Sequence, residues 1–228
     1  FLGITGLFLI SDLSQPKRFI YVLIRPQWRS WLVRGAYIIV CFGILLLVAI
    51  IASLAQWTTL FDALRWPGLL LAIFVGIYTA FLLTQAKGRD LWQNRFLPLT
   101  FLSHTALAGA ATLLILTFFI DLNETAIQGL QIIFLASCTL HIGFGLFDLL
   151  IHVPNYVHSK GLGTGIAEYR NHYWTSLSLG GLIPIILITA SLANAGSWTY
   201  LASSIIALVG LGIYQHAYIQ SGQIARQS

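Results

Sequence analysis

Residues 127–151 read IQGLQIIFLASCTLHIGFGLFDLLI. As a helix this run covers about 37 Å, more than the roughly 30 Å of a bilayer's hydrocarbon core. Apolar residues occupy every face of it, whereas a helix at the surface of a soluble domain carries them on one stripe. Two ionisable residues interrupt it, His141 and Asp148. A segment of this kind reads as a membrane span with a polar feature inside it.

Working outward, five further runs of similar length follow the same pattern, near Gly35–Gln56, Trp66–Ala86, Leu97–Ile120, Tyr173–Ala195 and Trp198–Ile219. A shorter apolar piece occupies residues 1–12. Composition agrees: 57% of the residues are apolar and 8% are charged, with a mean hydropathy of +0.83. A soluble domain carries about a quarter charged residues. In hydrocarbon the backbone must satisfy its own hydrogen bonds, so these runs are helices, and the period-two alternation of a membrane β-barrel is absent. The sequence therefore predicts an all-α membrane protein, a polytopic helical bundle forming one integral membrane domain over residues 1–228.

Basic residues sort by side. Lys17, Arg18, Arg25, Arg29, Arg34, Lys87, Arg89, Arg95, Lys160, Arg170 and Arg226 fall on one side of the predicted spans, and only Arg65 falls on the other, with Asp62, Asp121 and Glu124. The positive-inside rule then puts the basic connections and the C-terminus in the cytoplasm. The net charge of +5 is accounted for by this topology and calls for no nucleic-acid partner. Trp57, Trp66, Trp198 and Tyr200 sit at the opposite, outer ends, where amphipathic rings favour the interface. Cys41 and Cys138 lie in apolar runs without CxxC or His-rich settings, so they read as small buried thiols and not as metal ligands.

Five motifs have defined positions on this layout: SDLSQPKRFIYVLIRPQWRSWLVRGAY at 11–37, GIYTAFLL at 76–83, NRFLPLTFLSHTALAGAA at 94–111, NHYWTSLSLGGLIPIIL at 171–187 and ALVGLGIYQHAYIQSGQ at 207–223. Together and in this order they resemble the NrfD/polysulfide reductase family of membrane subunits. That resemblance implies a template of eight transmembrane helices, on which the first helix and the start of the second are missing and residues 1–12 end the second. It also implies a function: electron exchange between a membrane quinone (menaquinone or ubiquinone) and a peripheral iron–sulfur subunit on the outer face. Through that subunit it implies a molybdenum or multihaem catalytic partner. No haem or iron–sulfur cluster and no metal is expected on this chain, and the expected location is a bacterial inner membrane. The family binds quinone with a tyrosine at a step matching Tyr78. The glycine usual after its Y-T pair is Ala80 here.

Ionisable residues inside a membrane are costly and mark functional sites. His141 and Asp148, seven residues apart, share a helix face. His141 is expected beside Tyr78 at the quinone. Asp148, His104 and His216 are expected to carry protons from the cytoplasm towards it, a task suited to the near-neutral pKa of imidazole. The competing reading of the same residues is polar glue between helices. Asp12, Pro16 and Arg18 read as a structural turn that caps and stops a helix. His152, His158 and His172 fit the headgroup region, and Arg34 can snorkel there. Pro184, with Gly180 and Gly181, predicts a kinked and closely packed span. Two other functions share the composition: a proton-coupled secondary transporter, and a di-haem cytochrome b-type anchor, which would need paired histidines at matched depth.

Overall fold

A computed structural model describes residues 3–4, 25–87, 89–152, 169–193 and 196–224. Asp12, Pro16, Arg18 and His158 lie outside the described residues, as does nearly all of the partial helix at 1–12. Among the described residues, six helices are long and apolar enough to cross a membrane. The chain forms two compact units, residues 1–85 and 86–228.

In the first unit, α1 (Trp31–Leu54) and α2 (Thr58–Thr84) form a helical hairpin. The Trp31 ring stacks on Phe81 at 4.3 Å, the Tyr78 ring lies on the backbone of Gly35, and Leu45 packs over Gly68. Partner numbers rise on one helix as they fall on the other, so the pair is antiparallel. The turn needs only Ala55–Trp57, with Gln56 in the left-handed region at φ +58°. The second helix starts well before the apolar run at Trp66, because Thr58–Arg65 continue its first turns. Asp62 and Arg65 pair there at 2.9 Å in the exposed i,i+3 relation. Arg34 places its Nε on the Trp28 carbonyl at 2.6 Å and its guanidinium over Trp31. Leu54 and Trp66 are 80% and 77% exposed, a liability in water that vanishes in lipid.

The second unit is a four-helix bundle. Its spans are α3 (Leu97–Leu116), α4 (Glu124–Phe147), the pair α5 (Arg170–Leu177) and α6 (Ile183–Leu192), and α7 (Ser197–Ile224). A π-helical turn at Ser178–Leu182 joins α5 to α6, and another at Asp148–His152 ends α4. Each span packs on two others, α3 on α4 and α7, and α5–α6 on α4 and α7, which closes the ring. Asn123 starts α4, its side chain accepting the Ala126 amide at 2.7 Å.

Lipid tails are as apolar as leucine, so burial does little to hold these helices together, and close approach at small residues does more. At Gly180 and Gly210 the backbones of the π-turn and α7 touch, and a Cβ on Gly210 would collide with Gly180. Gly145 and Gly181 likewise seat Leu177 and Ile142. Pro184 has no amide to offer the turn before it, and that turn widens to the π form. Ser203 on α7 bonds the Pro184 carbonyl at 2.9 Å. The dry core is Leu107, Ala110, Ala111, Leu114, Phe134, Cys138, Ile188, Ala207 and Leu211.

Candidate functional site

The buried face of α4 recurs at Gln131, Phe134, Ser137, Cys138, His141, Gly145 and Asp148. The helical period thus turns His141 and Asp148 into the bundle, about 10 Å apart along the axis. α3 brings His104 to the same depth, and His141 Nδ1 lies 3.0 Å from His104 Nε2. His141 Nε2 lies 3.4 Å from the Ser176 carbonyl. A carbonyl only accepts, so Nε2 carries the hydrogen. With one proton per ring, His141 Nδ1 then accepts from His104, and the pair has a single polarity. His141 is wholly buried and His104 is 3% exposed. The bare backbone of Gly180 makes room for the ring, since a Cβ there would stand 2.8 Å from His141 Nε2.

Tyr214 on α7 joins this pair to Asp148. Its ring lies edge-on to His104 at 4.9 Å and at a steep angle to His141 at 5.1 Å. Its hydroxyl donates to Asp148 Oδ2 at 2.6 Å. Asn94 Nδ2 reaches Asp148 Oδ1 at 3.5 Å, while its own Oδ1 takes the Phe96 amide ahead of α3. Tyr173 packs edge-on against Tyr214, and Tyr218 stacks beside it. Tyr218 donates to the Leu91 carbonyl at 3.0 Å, in the short 3-10 helix Asp90–Gln93. The buried Tyr173 hydroxyl lies beside Ser221 without a well-formed hydrogen bond. The Trp92 Nε1 hydrogen, pressed against Gly222, has no acceptor among the described residues. The Trp92 donor is open to a water.

Three of the expected residues are thus brought together: His104, His141 and Asp148. His216 is not, for it lies exposed on α7 with its ring near Tyr169. His172 is exposed beside the same tyrosine. His152 lies in the π-turn that follows Asp148. Tyr214 and Tyr173 carry no charge, so they do not stand out in an apolar span as His104, His141 and Asp148 do. The signal was present in the α7 register Ser203, Ala207, Gly210, Tyr214, Ala217 and Ser221, which has helical spacing and runs through Tyr214 while bypassing His216.

Tyr78 belongs to the first unit, half-buried, with its ring on Gly35. Its hydroxyl donates to no described residue. His141 differs, because both ring nitrogens already have partners inside the bundle. Among the described residues, no three His, Cys, Asp or Glu side chains gather as a metal site would require.

No curated protein and no solved structure matches the chain significantly. The family model described as polysulphide reductase, NrfD, matches residues 1–225. That match runs almost the length of the chain and agrees with its apolar spanning helices, so this multi-pass membrane protein belongs to the NrfD family.

Proposed function

We propose that the chain is the quinone-interacting membrane subunit of a respiratory oxidoreductase complex. The observation that carries this is the family match over residues 1–225. When bound, a membrane quinone supplies a carrier of two electrons and two protons. Tyr78 is the residue proposed to hold it, by donating a hydroxyl that bonds no described residue, from a ring seated on Gly35. The residues Asn94, Asp148, Tyr214, His104 and His141 are proposed to hold and pass protons. The support for that role is their continuous buried contact across three helices. His216, expected in the same pathway, has no support from this contact set. His141 acts here through the proton network, its two nitrogens being engaged.

The partner is proposed to be a peripheral iron–sulfur subunit docked on the outer side, linked to a molybdenum or multihaem catalytic subunit. The membrane is proposed to be a bacterial inner membrane with the C-terminus cytoplasmic, on the strength of the eleven basic residues sorted to that side. The test is affinity purification of the intact complex, identification of its subunits, and a quinol oxidation assay. An iron–sulfur subunit should co-purify, and Tyr78→Phe should lower quinol turnover at least tenfold. Quinol turnover that ignores Tyr78→Phe, or a chain purified without any redox partner, contradicts the proposal.

A further inference from the structure

We propose a second binding site in the four-helix bundle, for the uncharged head group of a membrane quinone, at the end opposite the Asp148 network. The inference rests on the quinone-linked reading above and places a site in the second unit, apart from Tyr78. A cavity of about 380 Å³ opens there between the start of α4, the end of α6 and the start of α7. That volume falls within the range of small-molecule sites. At its floor Gln131, 5% exposed, donates from Nε2 to Ser191 Oγ at 3.1 Å. This bond leaves Ser191 its own hydrogen to donate and Gln131 its carbonyl to accept. Ile127 and Leu192 supply apolar wall, and Tyr200 adds an aromatic face with a hydroxyl.

The charge pattern narrows the ligand. Among the described residues, no lysine, arginine or histidine lines the cavity, and Glu124 is its single charged residue. A phosphate or carboxylate would find no cation there. A hydrocarbon chain would bury the Gln131 and Ser191 polar groups without replacing their hydrogen bonds, which is costly. A flat, neutral ring bearing oxygen acceptors meets both the apolar walls and the spare hydroxyl hydrogen. Trp198, 72% exposed one residue into α7, is the kind of ring that marks the membrane interface, so the ligand enters from lipid.

The site is also separate from the histidine pair. Gln131 and His141 are ten residues apart on α4, about 15 Å. Between them lies the dry layer of Phe134 and Cys138 with Leu107, Leu114, Ile188 and Leu211.

The experiment is photolabelling of the intact complex, in quinone-free nanodiscs, with an azido-quinone, followed by peptide mapping. Two saturable labels are expected, one near Tyr78 and one on a peptide carrying Gln131 or Ser191. Excess unlabelled quinone should remove both. Gln131→Leu should reduce the second label at least tenfold and leave the first. Where that variant does not fold, as judged by loss of both labels, Ser191→Ala gives the same reading. Labelling near Tyr78 alone overturns the second site and leaves the proposed function standing, whereas no saturable label anywhere overturns both. A Gln131 label displaced by phosphatidylethanolamine but not by unlabelled quinone makes the cavity a lipid site and overturns the proposal, as does labelling there that neither substitution changes.

Discussion

Replacing Tyr214 with phenylalanine isolates one oxygen atom at the centre of the buried network. The ring remains, and with it the contacts to His104, His141, Tyr173 and Tyr218 at 4.9–5.9 Å. What disappears is the 2.6 Å hydrogen bond to Asp148, a carboxyl that is 3% exposed. Asn94 sits at 3.5 Å, the outer edge of a useful hydrogen bond, and cannot replace it. Losing a hydrogen bond to a charged group costs about 1.5–3 kcal/mol. The variant should therefore unfold more easily by that amount in a denaturant titration of the detergent-solubilised protein. A double-mutant cycle with Asp148→Asn should return a coupling of about 0.5–3 kcal/mol, as expected of groups in contact. Proton movement gives the second readout. The hydroxyl is the described contact that ties Asp148 to α7, whose Tyr214 ring packs against both histidine rings. Its loss should slow dye-detected proton uptake in proteoliposomes by roughly tenfold or more, the rate equivalent of about 1.4 kcal/mol. A variant with unchanged stability, no coupling and unchanged proton uptake would refute the assignment of Tyr214 to the network.

Other substitutions test the packing. Gly210→Ala should destabilise the protein by about 1–3 kcal/mol, because its Cβ collides with Gly180, whereas Gly212→Ala, with open space around it, should be neutral or slightly stabilising in the same titration. Gly35→Ala should displace the Tyr78 ring and lower quinol turnover along with stability, since the new methyl occupies the seat of that ring. Asn123→Ala should cost about 1 kcal/mol through loss of the α4 cap. Cys41, expected from the sequence to be buried, is exposed, so a membrane-permeant maleimide should label it in the folded protein and reach buried Cys138 only on unfolding, which mass spectrometry of the labelled peptides will report.

The fold was legible because the membrane makes a strong and simple demand. A run such as 127–151 has no stable form in lipid other than a helix, and the sorting of basic residues agrees with the six spanning helices among the described residues. Helix limits were less legible, since hydropathy sees lipid contact and not hydrogen bonding. Thr58–Arg65 are polar enough to read as a connection, yet they continue the α2 hydrogen-bond ladder. The site was half legible. His104, His141 and Asp148 stood out because charge is rare in a span, and helical spacing alone put the last two on one face. Tyr214 carries no charge and did not stand out, although it makes the shortest bond to the buried carboxyl. His216 did stand out, yet it lies two residues from Tyr214, a rotation of about 200° that takes it off the buried face. Pro184, Gly180 and Gly181 signalled a kink, but its π form at 178–182 was not legible, because it depends also on the close approach of Gly210.

The central claim is that this subunit passes electrons between a membrane quinone and an iron–sulfur partner. Its most direct measurement is electron paramagnetic resonance of the partner's clusters in the purified complex, after rapid mixing with quinol or with oxidised quinone. The account predicts a quinone-dependent change in the cluster signal, slowed at least tenfold by Tyr78→Phe. Clusters that exchange electrons with a soluble dye but never with quinol or quinone in the intact complex would contradict it.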